Sequence, residues 1–217
     1  MNNFLSTSNN ESQRNSLPDK IARYILKKIF TGELELGTRL IESNIAKELD
    51  VSNIPVREAF YILQSVGIVE RLPRKGVRVK VISEEEIKEY TVALKELYRI
   101  ALAYSVPNWN EEHRNNLKNF LIEAKEKLIQ EKIMEYISMC DQITSYIFEV
   151  AGNSVFLKFY SEITYITTIY SQSIWNDAEK LKSWHFYLDA AVNALIQSDF
   201  EQAEVQLELL AKQALLV

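Results

Sequence analysis

The sequence predicts a mainly α fold in two parts: three short helices with a basic β-hairpin, then an all-helical antiparallel bundle. Three observations predict it. The chain of 217 residues holds only 5 Gly and 4 Pro, too few punctuating residues for a turn-rich all-β architecture. Apolar residues recur at helical spacing along most of its length. That period gives way to short β-like runs once, around Pro73-Arg74-Lys75-Gly76. A length of 217 residues suits one small and one medium domain, and 47% hydrophobic residues let both bury a core.

The chain begins with a polar stretch from Met1 to Arg14, read as part of a disordered tail over 1–16. It has neither the apolar segment of a signal peptide nor a spanning helix, so no membrane association is expected. Ile21, Ala22, Tyr24, Ile25, Ile29 and Phe30 then mark a first helix that ends near Gly32. Glu33 to Leu40 reads as a connector with a tight turn at Gly37. Ile45, Ala46 and Leu49 mark a second helix over Glu42–Leu49. Asp50-Val51-Ser52 is a break, after which Ser52 is a natural N-cap and Pro55 fits the first turn of a third helix. That helix carries Val56, Ala59, Phe60 and Leu63 on its apolar face and stops at Gly67. Ile68–Leu72 and Val77–Val81 flank the turn of a hairpin. Three helices and a basic hairpin are the plan of a winged helix-turn-helix, expected over residues 17–82.

From Ser83 onward the chain reads as helical. Ser83-Glu84-Glu85-Glu86 is a capping box with acids at the positive end of the helix dipole. That helix is expected to close near Pro107. Further helices are expected over Glu111–Gln130, Lys132–Val150, Ser154–Trp175, Ala178–Gln197 and Phe200–Leu216, forming a domain over residues 83–217.

The net charge of -5 is unevenly divided. Residues 1–82 hold 13 Lys and Arg against 9 Asp and Glu, a net +4, whereas residues 83–217 hold 12 against 21, a net -9. A basic first part followed by an acidic second is the asymmetry expected when only the first meets phosphate. Duplex DNA is bound by neutralising phosphates and read at base edges, which a helix-turn-helix does with the start of its second helix. Here that start carries Ser52, Asn53, Pro55 and Arg57, and the hairpin adds Arg71, Arg74, Lys75 and Arg78. The alternative role for Arg57 is a surface ion pair with Glu58 or Glu48, beside a hairpin that is merely solvated.

These residues resemble a known family. Leu36-Gly37-Thr38-Arg39-Leu40-Ile41-Glu42, Ile45-Ala46-Lys47-Glu48-Leu49, Val51-Ser52-Asn53-Ile54-Pro55-Val56-Arg57-Glu58-Ala59, Gly67-Ile68-Val69 and Gly76-Val77-Arg78-Val79 are similar, in unbroken order over about residues 18–80, to the GntR family winged helix. The resemblance implies a DNA-binding transcriptional regulator, a repressor in function and cytoplasmic, acting as a homodimer on double-stranded operator DNA with a pseudo-palindromic site. It places Arg39, Ser43, Ser52, Asn53, Pro55, Arg57, Lys75 and Gly76 at DNA-contacting positions. One residue departs from the pattern: Asn53 stands where the family usually has Arg or Lys.

Residues 83–217 resemble the FadR-type effector domain, FCD, an antiparallel bundle around a central pocket. Asp141, Ala151-Gly152-Asn153, and Ala194-Leu195, Asp199, Ala203 and Leu207 carry this likeness. Many such domains hold a divalent metal with one Asp and three His. The matching positions here are Asp141, then Ser145, Leu188 and Leu210, and the chain has only 2 His in all. No cofactor is therefore expected. The resemblance implies a small-molecule effector, and the loss of the metal ligands points to one more hydrophobic or neutral than a metal-held carboxylate. Asp141, Ser145, Tyr160, Thr164, Tyr165, Thr168 and His185 are the candidate pocket residues, with Ser161 and Gln172 as further candidates; ordinary core tyrosines are the alternative. Another candidate position, usually Arg on the first helix of such domains, falls on Leu94. His113, set among Glu111, Glu112 and Arg114, reads as solvated.

Two further function classes compete. An enzyme would need catalytic residues, but Cys140 has no evident histidine partner and reads as a buried thiol in a reducing compartment. No phosphate-binding loop, dinucleotide fingerprint or zinc-protease motif occurs, so no enzymatic activity is expected. An interaction module or ligand-independent regulator, its pocket filled by side chains, is the alternative to a sensor.

Overall fold

Helix α1, Leu17–Phe30, starts where Ser16 accepts a hydrogen bond from the Asp19 amide, and it ends with Lys27 and Lys28 in its last turn. A computed structural model describes residues 16–73 and 76–214 of the chain, with the side chains of residues 165, 172, 173 and 214 outside the description. The described residues form two compact units that divide between Ser83 and Glu84.

In the first unit, β1 (Arg39–Leu40) precedes α2 (Glu42–Leu49) and α3 (Asn53–Ser65), and β2 (Val69–Leu72) and β3 (Gly76–Val79) follow. The three strands are antiparallel in the order β1-β3-β2. β3 is central because Arg39 pairs with Arg78 on one side and Glu70 pairs with Arg78 on the other. Strand β1 lies within what the sequence reads as a connector. Its two residues carry no alternation; the turn at Gly37 aims them at β3. Gly37 has φ +84° and donates its amide to the Val79 carbonyl at 3.0 Å, and a Cβ there would lie 3.3 Å from Val81 Cγ2. Glycine meets both demands.

The core of this unit joins α1 to α3 through Ile21, Ile25, Ile29, Val56, Phe60 and Leu63, all nearly inaccessible to water. Each such side chain contributes about 1.5–3 kcal/mol on burial. Between α2 and α3, Asp50 closes the helix in the left-handed region at φ 53°, a conformation that Asp tolerates better than most residues. That turn points the start of α3 outward.

The second unit is wholly helical: α4 (Glu84–Ser105), a short 3-10 turn (Val106–Asn108), α5 (Glu111–Ile129), α6 (Ile133–Val150), α7 (Ser154–Tyr170), α8 (Gln172–Trp175), α9 (Ala178–Ile196) and α10 (Phe200–Ala214). Asn110, Asn153 and Asp177 cap α5, α7 and α9 with their side-chain oxygens, satisfying amides that a helix start leaves open. The long helix expected over 154–175 is broken at Ser171. Its buried hydroxyl donates to the Thr167 carbonyl at 2.8 Å, and the Trp175 indole donates to the Thr168 carbonyl at 3.0 Å. α10 packs on α9 and α4, and α6 packs on α5, α7 and α4, around a core of Leu94, Tyr98, Leu117, Ile143, Ile147, Leu188 and Leu207.

Candidate nucleic-acid interface and the interior of the helical domain

The side chains expected to meet DNA fall on the outer face of α3 and beside the hairpin. Ser52 is the N-cap residue of α3 but makes no side-chain cap bond, so its hydroxyl is not spent on the helix. Asn53, Ile54 and Arg57 are exposed in the first turn and a half, while Val56, Ala59 and Phe60 face the core. Pro55 sits third in the helix, where its missing amide costs no helical bond. Ser43 is exposed in the first turn of α2.

Arg57 is held by an ion pair. Its Nε donates to both Glu42 carboxylate oxygens at 3.1 Å, and Nη2 donates to Oε2 at 2.8 Å. The bonded guanidinium lowers the Glu42 carboxyl below the usual range. The partner is neither Glu58 nor Glu48. Glu48 instead accepts from Lys28 and, at 2.6 Å, from the Tyr24 hydroxyl. Glu42 engages one edge of the Arg57 fork, and a guanidinium has five N–H groups, so Nη1 keeps donors for a further acceptor.

At the hairpin, Gly76 adopts φ +86°, and a Cβ there would lie 3.8 Å from Nε and Nη2 of Arg39. Arg39 and Gly76 are thus brought together at the hairpin base. Arg78 donates to Glu70 at 2.7 Å, partly buried, so it is a cross-strand partner more than a displayed cation. Arg71 lies 4.7 Å from the ring centroid of the exposed Tyr61 on α3. Arg74 and Lys75 lie outside the described residues.

In the second unit, a small cavity of about 50 Å³ is lined by Asp141, Thr144, Tyr160, Thr164, Thr168 and Leu210, with Leu94, Tyr98 and Trp184 among the others. The sequence-predicted residues Asp141, Tyr160, Thr164 and Thr168 are brought together there. Ser145 and His185 are not. Ser145 turns its hydroxyl to the Gln142 carbonyl at 3.2 Å, and His185 Nδ1 lies 2.9 Å from the Tyr136 hydroxyl. Burial lowers the His185 pKa. Tyr165 lies in α7, with its side chain outside the description, as is that of Gln172. The Ser161 hydroxyl donates to the Leu157 carbonyl at 2.9 Å.

In place of the candidate Ser145, its neighbour Thr144 lines the cavity, hydrogen-bonded to the Tyr160 hydroxyl. The Tyr98 hydroxyl joins the Tyr160 hydroxyl, and burial drives both phenols well above their ordinary pKa. Tyr160 stacks on Phe148 with centroids 4.3 Å apart. Spacing could have indicated Tyr98, one helical turn beyond Leu94, and Thr144, one turn beyond Asp141. The buried Trp184 Nε1 has no partner among the described residues. Cys140 is buried, which raises its thiol pKa.

The donor set does not fit a divalent metal. Asp141 faces the cavity, but the matching positions Leu188 and Leu210 are buried hydrocarbon, and Ser145 points along its own helix. His113 is not solvated as expected. Its Nδ1 lies 2.7 Å from the Tyr146 hydroxyl, and its ring sits between Trp109 and Tyr146.

Comparison with known proteins agrees with the first unit's plan. The model of "Bacterial regulatory proteins, gntR family" matches residues 17–79. The HTH-type transcriptional regulator McbR of Escherichia coli is 30% identical over 122 residues, covering 55% of this chain and 55% of McbR. The gluconate operon transcriptional repressor of Bacillus subtilis is 43% identical over 76 residues, 35% of this chain and 31% of the repressor. A D-xylose utilization operon repressor, described as probable, of Paenarthrobacter nicotinovorans is 31% identical over 98 residues, 45% of this chain and 43% of that protein. These matches thus span about half or less of each relative's length. In overall fold, the chain is similar to solved E. coli McbR, with a TM-score of 0.69 over 91% of this chain and 94% of that one at 23% identity. A Rhodococcus structure, a putative GntR transcriptional regulator, gives a TM-score of 0.70 at 20% identity, over 91% of this chain and 94% of that one. Residues 17–79, which carry the exposed α3 face, are thus the part of the chain that is similar to the gntR family of bacterial regulatory proteins.

Proposed function

We propose that this chain is a DNA-binding transcription regulator, a repressor by analogy with its relatives, and not an enzyme. The observation that carries this is the exposed face of α3, where Ser52, Asn53 and Arg57 stand together in a domain similar to the gntR family. Ser52 and Arg57 supply donors for phosphates, and Asn53 supplies a base-reading amide. Arg39 and Gly76 at the hairpin base, Ser43 on α2, Pro55 and Lys75 complete the proposed contact set.

The regulator acts as a homodimer that places two winged helices over a pseudo-palindromic operator. The surface of α7 supports this. Val155 and Phe159 remain half-exposed on it at i, i+4, beside the exposed Lys158–Glu162 pair, as expected of an apolar strip awaiting a second copy. Residues 83–217 form an FCD-like effector domain with a degenerate metal site, acting in the cytoplasm; no helix among the described residues is long and apolar enough to cross a membrane. An effector would bind among Asp141, Thr144, Tyr160 and Trp184 and shift the balance between arrangements with and without affinity for DNA.

One observation favours a second reading, a ligand-independent regulator. The cavity of about 50 Å³ is far smaller than the roughly 300–1,000 Å³ of ordinary ligand sites. An effector must therefore open the bundle to enter. Selection of random duplex DNA by the purified chain tests the main reading: enrichment of an inverted repeat supports a dimeric regulator, and no enrichment overturns it. A screen for ligand-induced thermal stabilisation separates the readings of the bundle, since a ligand that binds the native state raises its melting temperature.

A further inference from the structure

We infer that the first turn of α3 reads an adenine and a neighbouring thymine: Asn53 takes the adenine edge and Ile54 packs on the thymine methyl. This rests on the DNA-binding reading above and names the sequence it selects. The chemistry of Asn53 carries the first half. Its amide offers one acceptor and two donors, which complement the N6 donor and N7 acceptor that adenine shows in the major groove. An arginine offers donors alone and complements the two acceptors of guanine. Asn53 is exposed at the first position of α3, beside the uncommitted hydroxyl of Ser52.

Ile54 carries the second half. It is 67% exposed, the most exposed large hydrophobic residue of the first unit, whereas Val56, Ala59 and Phe60 on the opposite face supply the helix with its core contacts. An isoleucine this exposed gains little from burial in the fold. It gains from a partner of its own polarity in the groove, and the thymine C5 methyl is the apolar group that a base pair displays there. Asn53 and Ile54 are consecutive and both exposed in the first turn of α3, which keeps the two base contacts of this inference within one short stretch of the groove. Arg57, one turn further along the same face and tethered through one edge to Glu42, keeps Nη1 for a phosphate or a flanking base.

The test uses the full chain as wild type, Asn53→Arg and Ile54→Ala in parallel selections from random duplex DNA. All three should melt alike, because both residues are exposed. The wild type should enrich an inverted repeat with an adenine–thymine pair fixed in each half-site. Asn53→Arg should move that position to guanine–cytosine and leave the rest of the repeat unchanged. Replacing the neighbouring thymine by deoxyuridine, which lacks only the methyl, should weaken wild-type binding about threefold to fivefold and leave Ile54→Ala indifferent. If Asn53→Arg enriches the same repeat as wild type, or deoxyuridine costs both proteins equally, the inference is overturned while the DNA-binding reading stands. If the wild type enriches nothing, both fall together.

Discussion

The outer face of α3 and the interior of the helical bundle both gather polar side chains, and they treat them in opposite ways. On α3, Ser52, Asn53 and Arg57 are exposed, and Arg57 meets its partner through only part of its donor set. In the bundle, Tyr98, Thr144 and Tyr160 are buried and satisfy one another. A surface that keeps its hydrogen-bonding capacity can spend it on a partner without disturbing the fold. An interior that has spent that capacity internally is tied to stability. Polar side chains are thus left available to a partner in one unit and tied to cohesion in the other.

The sharpest break of this comparison is a deletion in the bundle. Leu188→Ala removes a side chain with 0% exposure and should cost about 2–5 kcal/mol of stability. The melting of the second unit, followed by tryptophan fluorescence since Trp109, Trp175 and Trp184 all lie in it, should fall accordingly. An unchanged transition would mean that the site collapses freely.

Next in size, Arg57→Ala should lower affinity for the selected operator by about 1–3 kcal/mol, tenfold to more than a hundredfold, with little change in melting. Equal affinity in a titration of labelled operator would remove Arg57 from the contact set. A loss of melting temperature instead would make the Glu42 pair its main role.

A smaller effect concerns pH. His185 has its pKa lowered by burial, so the unfolded chain binds a proton more readily than the folded one. Its contribution is present above the unfolded value near 6.5 and is lost as pH falls through the folded value. Bundle stability should therefore decline as pH drops below about 6.5, and His185→Asn should flatten that decline; an equal slope in both would assign it to other groups.

The smallest is electrostatic. Lys75→Ala should weaken binding to all sequences alike and reduce the salt slope by about 0.9, one phosphate contact. A salt dependence equal to that of wild type would exclude a phosphate role.

Much of this architecture was legible in the sequence. The helix over Glu42–Leu49, the apolar face of Val56, Ala59, Phe60 and Leu63, and the helix starts at Ser154 and Ala178 follow from local period and capping chemistry, and the structure shows each. What local pattern could not reveal was non-local. Strand β1 exists because Arg39 and Leu40 meet β3, some forty residues away in the chain. The break at Ser171 interrupts an apolar period that runs on unbroken. Counting four residues on from Asp141 selects Ser145, yet the packing of α6 turns Thr144 inward. Arg57 found Glu42, fifteen residues back, where charge pairing within one helix suggested Glu58.

By itself, then, the sequence determined which residues can be helical, where the helices start, and which side chains are displayed at the head of α3. Those are properties of short range, set by backbone preference and the 3.6-residue period. Only the tertiary structure decided the partners: Arg57 with Glu42, His185 with Tyr136, Thr144 with Tyr160, and an interior closed down to about 50 Å³. Partner choice depends on how whole helices rotate and pack against one another, and that rotation is settled by the sum of many buried contacts and not by any one motif.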